Sequence, residues 1–281
     1  MTFKYQLPDD IEETVKLALI EDIGTGDVTA SVIPRHSISN ATVISRDFAV
    51  LCGIAWFDEV FNLLNPNITI NWMVGDGDTI NPDQVLCEIE GPARAILMGE
   101  RTALNFLQTL SGTATIARRF ADAVKGTSAK ILDTRKTIPG LRKAQKYAVK
   151  CGGCYNHRMG LYDAIMIKEN HIAVAGSIKN AVELARANMS DMPIEVEVEN
   201  LDQLQEALAA KVDMILLDNM KLPQLRRAVT LTAKRAFLEA SGGVTLEKIR
   251  SIAETGVDFI SVGSLTKDLR AVDLSMRFFY S

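Results

Sequence analysis

The second half of the chain is built from one repeated pattern. Short apolar runs each end in polar or glycine residues: KILDTRK, AIMIKENH, IEVEVEN, MILLDN, AFLEASGG and FISVGS. Amphipathic stretches such as SIKNAVELARAN, LDQLQEALAA and TLEKIRSIAETG separate them. Apolar runs of this kind read as strands covered on both faces, and their alternation with helices gives βα units around a parallel sheet. The run ends marked by Lys168, Glu197, Asp218, Ser241 and Gly263 lie 29, 21, 23 and 22 residues apart, close to one βα unit each. Six such units are too many for one mononucleotide-binding half and too few for a full eightfold ring, so the pattern predicts an incomplete parallel α/β barrel. In a barrel the chemistry gathers at the C-terminal strand ends, which is where each run here carries its charged, hydroxyl or glycine residues.

Up to about residue 111 the texture is mixed. A helix is expected over residues 9–20, a loop over 21–29, strands over 41–51, 68–74 and 84–89, and a second helix over 56–64. GDGD at 75–78 supplies turn chemistry. A long helix is expected over 92–110, with Ile96, Ala103, Leu107 and Leu110 on one face. Arg101 falls on a different strip of that helix, with the uncharged polar residues Thr102, Asn105 and Gln108, and such a strip reads as a contact surface.

The chain carries a formal net charge of -4, yet residues 133–171 concentrate Arg135, Lys136, His157, Arg158 and Lys168, with two of the three histidines. A dense cationic cluster in an acidic chain points to a pocket for a small polyanion and away from a nucleic-acid surface. No apolar run approaches the length of a membrane span, and the N-terminus MTFKYQLPDD lacks the apolar core of a signal peptide. Four cysteines do not make a disulfide framework, so a reducing, cytoplasmic setting is expected. The pair in Cys151-Gly152-Gly153-Cys154 has no second pair to complete a metal site and is read as incidental.

Each strand end has its own chemistry. Thr134, Arg135 and Lys136 offer a hydroxyl, two cations and main-chain N–H groups to a phosphate or carboxylate. His157 and Arg158 precede the strand that ends in Lys168; the planar fork of an arginine suits a carboxylate and the ammonium of a lysine acts as a point charge. Lys168 could hold an anion, form a Schiff base or stand in a structural ion pair. Glu197 and Asp218 sit at the ends of the next two strands, where carboxylates beside cations suit Mg²⁺ or sugar hydroxyls. Glu195, Glu197 and Glu199 share one face by period two, so strand phase alone does not choose among them. Ser241-Gly242-Gly243 and Val262-Gly263-Ser264 end the last two strands and read as phosphate cradles of main-chain N–H groups.

These residues resemble the quinolinate phosphoribosyltransferase family along nearly the whole chain. The resemblance rests on EDIGTGDVT, ERTALNFLQTLSGTAT (residues 100–115), LDTRKTIPGLR, HRMGLYDAIMIKENH, EVEVEN, MILLDN, EASGG and SVGSLT, in that order. It implies an N-terminal α/β sandwich over residues 1–111, joined by the tail at about 271–281, and an incomplete α/β barrel over 112–270. It implies an enzyme that joins quinolinate to phosphoribosyl pyrophosphate with Mg²⁺, giving nicotinate mononucleotide, pyrophosphate and CO₂. By the same resemblance Arg135, His157, Arg158 and Lys168 would bind the carboxylates, and Lys136 would lie near the reacting centre. Glu197 and Asp218 would meet ribose and Mg²⁺, with Lys136, Glu197 and Asp218 as the catalytic set. Ser241, Gly242, Gly243, Val262, Gly263 and Ser264 would hold the 5′-phosphate. A homodimer or hexamer is implied, in which Arg101 reaches the neighbouring subunit's site. The alternatives are a paralogous phosphoribosyltransferase acting on another anion and an aldolase using Lys168 as a Schiff base.

Overall fold

A computed structural model describes residues 5–279. Along the chain the elements are α1 (Ile11–Ile23), a 3-10 turn (Thr29–Val32), β1 (Ile38–Ser45), β2 (Ala49–Val50), α2 (Ile54–Leu64), β3 (Thr69–Trp72), β4 (Thr79–Ile80), β5 (Val85–Pro92) and α3 (Ala93–Ala123). There follow β6 (Lys130–Leu132), α4 (Arg142–Cys151), β7 (Ile165–Ile167), α5 (Glu169–Ala175), α6 (Ile178–Asn188), β8 (Ile194–Val198) and α7 (Leu201–Ala209). The chain continues with β9 (Met214–Asp218), α8 (Leu222–Thr232), β10 (Phe237–Ser241), α9 (Leu246–Ala253), β11 (Phe259–Ser261), α10 (Ser264–Lys267) and β12 (Leu274–Phe279). These elements form two compact units.

The first unit holds the described residues up to Arg118, Thr137–Gly153, and those from Leu265 on. Its antiparallel sheet has the order β12-β1-β5-β3, and β2 pairs separately with β4. Trp56, Phe57 and Phe61 of α2 pack with Leu104, Leu107 and Leu110 of α3 and with Val43 and Ile89 of the sheet. Burial of each such side chain is worth about 1.5–3 kcal/mol, so this aromatic cluster is a main source of the unit's stability. The Asp76 carboxylate in the GDGD turn accepts the N–H groups of Gly53 (2.9 Å) and Ile54 (3.2 Å), satisfying donors at the start of α2, and takes the Tyr147 hydroxyl at 2.7 Å.

Several local expectations shift. The strand over 41–51 is two pieces with different partners, because the Ser45 side chain turns the chain by accepting Asp47 N–H and donating to Asp47 O. The first helix runs on through Glu21, Asp22 and Ile23, since nothing before Gly24 (φ 53°) stops it. The long helix runs 13 residues past 110 because 111–123 contains no proline and continues to bury Ala114, Ala117 and Phe120. Thr102 is buried and donates to Asp22 at 3.3 Å, so only Arg101 and Asn105 of the polar strip are exposed.

The second unit, Arg119–Lys136 with Cys154–Ser264, contains all six apolar runs as strands. They form one parallel sheet in the order β6-β11-β10-β9-β8-β7. The first strand lies beside the last, as the incomplete barrel requires. The sheet opens between β6 and β7, where Tyr155 makes a single parallel bridge to Leu132. Ile194, Val196 and Val198 are fully buried on the face toward α6 and α7, which leaves Glu195 and Glu197 facing the barrel interior.

Candidate active site

The strand ends of the second unit are built upward from β6. Asp133, fully buried just after that strand, accepts His157 N–H at 2.9 Å and the Asn156 side-chain amide at 2.6 Å. Those bonds staple the loop carrying His157 and Arg158 to the end of β6. Thr134 accepts Lys136 N–H at 3.1 Å, folding the TRK turn back on itself. The Lys136 side chain lies over Gly263, where an added Cβ would stand 3.3 Å from Lys136 Cδ and 3.8 Å from Thr134 Oγ1. The pairing of β6 with β11 thus brings Thr134 and Lys136 to the Val262-Gly263-Ser264 turn.

Arg158 donates from Nη1 to Ala164 O at 3.2 Å and is half-buried. Burial, and then the like charge of Arg135, lower its pKa. Two guanidinium groups close enough to repel each other define a place where an anion is favoured. Lys168, at the end of β7, forms an ion pair with Glu197 Oε2 at 2.5 Å, while its N–H donates to His171 Nδ1 at 2.9 Å.

The three glutamates of β8 separate by depth. Glu195 is buried, Glu197 half-buried and Glu199 exposed beyond the strand. Glu195 Oε2 stands 3.1 Å from His157 Nε2, and Glu239 Oε2 of β10 stands 3.2 Å from the same nitrogen. Burial opposes charge on the imidazole, but hydrogen bonds and charge from Glu195 and Glu239 outweigh it and push the His157 pKa up to about 10. Burial raises the Glu195 pKa, against the lowering by His157. The other ring nitrogen, Nδ1, accepts Arg158 N–H at 2.7 Å. A second proton, on Nδ1, would point at that N–H, so this contact opposes the charge that the carboxylates favour and keeps the ring's proton on Nε2, facing them.

Asp218, at the end of β9, accepts the Asn219 side-chain amide at 2.7 Å. Asn219 is left-handed (φ 53°) and its N–H reaches Ser241 O at 2.9 Å. Its side chain covers Gly242 so closely that a Cβ there would fall 2.1 Å from Asn219 Oδ1, and Gly242 itself has φ 96°. No side chain other than glycine fits that position. Asn219 therefore ties Asp218 to the Ser241-Gly242-Gly243 turn.

Every residue proposed from the sequence for the barrel lies at these strand ends, in one unit. Arg101 belongs to the other unit and is exposed on α3. Sequence reasoning missed Glu239 and Asn219. Glu239 had a readable signal: it is two residues before Ser241 in AFLEAS, so it shares the inward face with that serine. The cysteines Cys52, Cys87, Cys151 and Cys154 are buried free thiols, Cys154 being the one that lies in this unit.

Known proteins resemble the chain along nearly its whole length. The family described as "Quinolinate phosphoribosyl transferase, C-terminal domain" matches residues 113–277, and its N-terminal-domain counterpart matches 27–111. The chain is 45% identical over 258 residues to a probable nicotinate-nucleotide pyrophosphorylase (carboxylating) of Bacillus subtilis (strain 168), covering 92% of this chain and 89% of that one. It is 40% identical over 277 residues to the nicotinate-nucleotide pyrophosphorylase (carboxylating) of Mycobacterium leprae (strain TN), covering 95% and 97%. The solved nicotinate-nucleotide pyrophosphorylase of Francisella tularensis superposes with a TM-score of 0.93 at 44% identity, over 99% of this chain and all of that one. NadC of Streptococcus pyogenes superposes at 0.95 with 40% identity, over 99% of each chain. The chain belongs to the quinolinate phosphoribosyltransferase family.

Proposed function

We propose that this enzyme transfers the phosphoribosyl group of phosphoribosyl pyrophosphate to the ring nitrogen of quinolinate, releasing pyrophosphate and CO₂ and leaving nicotinate mononucleotide. The observation that carries the reading is the arrangement around one sheet. Arg135, Arg158 and Lys168 are presented at strand ends beside Glu197, and Asp218 stands next to the glycine turn at 241–243. That set offers separate places for a dicarboxylate and for a phosphorylated sugar.

Arg135, Arg158 and Lys168 hold the two carboxylates, Arg158 as a fork anchored on Ala164 O and Lys168 as a point charge steadied by Glu197. His157 serves the same end of the site through the Arg158 amide. The turns at 241–243 and 262–264 receive the 5′-phosphate on main-chain N–H groups, with Thr134 beside the second. As the bond from ribose C1 to pyrophosphate lengthens, C1 becomes cationic, and the carboxylates of Glu197 and Asp218 favour that charge. Lys136, over Gly263, meets the charge gathering on the departing pyrophosphate. The pyridine nitrogen forms the new bond to C1 and becomes cationic. The neighbouring carboxylate then leaves as CO₂, its electron pair staying on the ring carbon, which takes a proton.

Glu197 and Asp218 also suit Mg²⁺. Each has one oxygen engaged, by Lys168 and by Asn219, and a second left for the ion. Mg²⁺ favours one or two carboxylates together with substrate phosphates, and when bound it neutralises charge on the leaving pyrophosphate. We infer further that the enzyme is a homodimer or hexamer in which exposed Arg101 completes the neighbour's carboxylate site, and that it works in the cytoplasm. The buried free thiols fit a reducing compartment, and no described helix is long and apolar enough to cross a membrane. Lys168 stands in an ion pair with Glu197, the arrangement of a charge that holds an anion and not of a free amine that adds to a carbonyl.

The test incubates the protein with quinolinate, phosphoribosyl pyrophosphate and Mg²⁺ and follows CO₂ and the mononucleotide. Turnover is expected, and Arg135→Ala and Lys168→Ala should each lower kcat/KM about 100-fold or more without changing the thermal midpoint. Absence of CO₂ with wild-type protein, or wild-type rates in both variants, would overturn the assignment.

A further inference from the structure

Glu239, like Asp133, is a fully buried carboxylate of the second unit. A carboxylate taken out of water costs several kcal/mol unless a partner offsets it. Its Oε2 lies 3.2 Å from His157 Nε2, with Glu195 Oε2 at 3.1 Å from the same atom. Three such groups so close have the spacing of a divalent-cation site. The ring orientation argues otherwise. An imidazole that ligates through Nε2 carries its proton on Nδ1, and here Nδ1 is the acceptor of Arg158 N–H at 2.7 Å. The ring is hydrogen-bonded at Nδ1 and faces two carboxylates at ion-pair distance from Nε2, and the His157 main chain is held by Asp133 at 2.9 Å.

We propose that Glu239, together with Glu195, is a positioning residue that clamps His157 and through it fixes the main chain at Arg158, delivering that guanidinium to the carboxylate end of the site. The proposal rests on the quinolinate reading above. The clamp spans β10, β8 and the loop between α4 and β7, so it ties the open end of the sheet, between β6 and β7, to its middle strands. Its effect belongs to the dicarboxylate and not to the phosphoribosyl group, whose turns at 241–243 and 262–264 it does not touch.

The test measures initial rates of the full-length enzyme with each substrate varied in turn. Glu239→Ala should raise the quinolinate KM about tenfold and leave the phosphoribosyl pyrophosphate KM within about twofold. Glu239→Gln keeps an oxygen that accepts Nε2–H and should recover most of the loss. Glu239→Asp, which withdraws the carboxylate by one methylene, repeats the selective effect should the alanine variant not fold. Imidazole ¹⁵N spectra give a readout independent of turnover, since the chain has only 3 histidines. The wild type should show one ring protonated at Nε2 with Nδ1 an acceptor, and only that ring should change in the variants. A folded alanine or aspartate variant with an unchanged quinolinate KM, both KM values raised alike, or unchanged imidazole signals would overturn the clamp. If wild-type protein does not turn over quinolinate, the functional reading fails while the spectra still decide the clamp.

Discussion

At the scale of single residues, burial decides what a charged group does. Asp58 accepts the Trp72 indole N–H at 2.8 Å, and burial pushes its pKa up to about 6 against that bond. An acid whose folded pKa is raised stabilises the fold at low pH and loses that stability as the pH climbs from its unfolded value through the folded one. Between pH 4.5 and 7.5 Asp58 should therefore cost the fold about 2 kcal/mol. Asp58→Asn keeps an acceptor for Trp72 and removes the titration, so its stability should gain on the wild type by that amount over the interval. Urea unfolding at the two pH values, followed by fluorescence, reads this directly because both tryptophans, Trp56 and Trp72, lie in the first unit. A difference between the two proteins that stays constant with pH would refute it. Depth also resolves what strand phase left open in β8. Period two puts Glu195, Glu197 and Glu199 on one face, and only the third dimension assigns the first to His157, the second to Lys168 and the third to solvent. The strand-end residues were legible because barrels place chemistry there; Glu239 sits one layer deeper, where a sequence pattern gives a face but no partner.

At the scale of elements, the sequence shows clearly where strands and helices of the barrel begin, because each apolar run is covered on both sides and bounded by polar residues. It shows less of the first unit. There β1 pairs with β12, matching Asn40 with Phe279, and no local pattern records a partner so far along the chain. The helix α3 runs through Gly112, although glycine weakens a helix by about 0.5–1 kcal/mol relative to alanine. The structure gives the reason for that glycine. A Cβ at position 112 would stand 2.3 Å from Arg270 O and 3.2 Å from Leu269 Cδ1. The returning chain lies directly on the helix, where Val272 N–H bonds to Gln108 O at 3.1 Å. Gly112→Ala should thus reverse the usual helix preference and destabilise the first unit by about 1–3 kcal/mol, since the added methyl displaces main chain. Urea midpoints of the two proteins decide it, and a variant as stable as the wild type would show that the 269–272 segment yields freely.

At the scale of the molecule, the six βα units and their incomplete closure follow from repetition, whereas the strand order follows from which strand ends can meet. Placing β6 beside β11 brings the TRK turn to the last glycine turn, so a site written in two distant parts of the sequence becomes one. Arg101 is the exception. It is exposed on α3, in the unit that holds none of the other site residues. If it acts on a neighbouring subunit, each site needs two chains, and defects in the two parts should complement. An Arg101→Ala protein and a Lys168→Ala protein are each expected to be inactive alone. Mixed and allowed to exchange, they form hybrid dimers in which one site carries both lesions and the other neither. Random reassortment makes half the dimers hybrid with half their sites intact, so activity should return to about a quarter of the wild-type value. A site built within one chain predicts no recovery at any mixing ratio. Native mass spectrometry of the mixture establishes that exchange has occurred, and exchange without recovered CO₂ release would rule out the shared site.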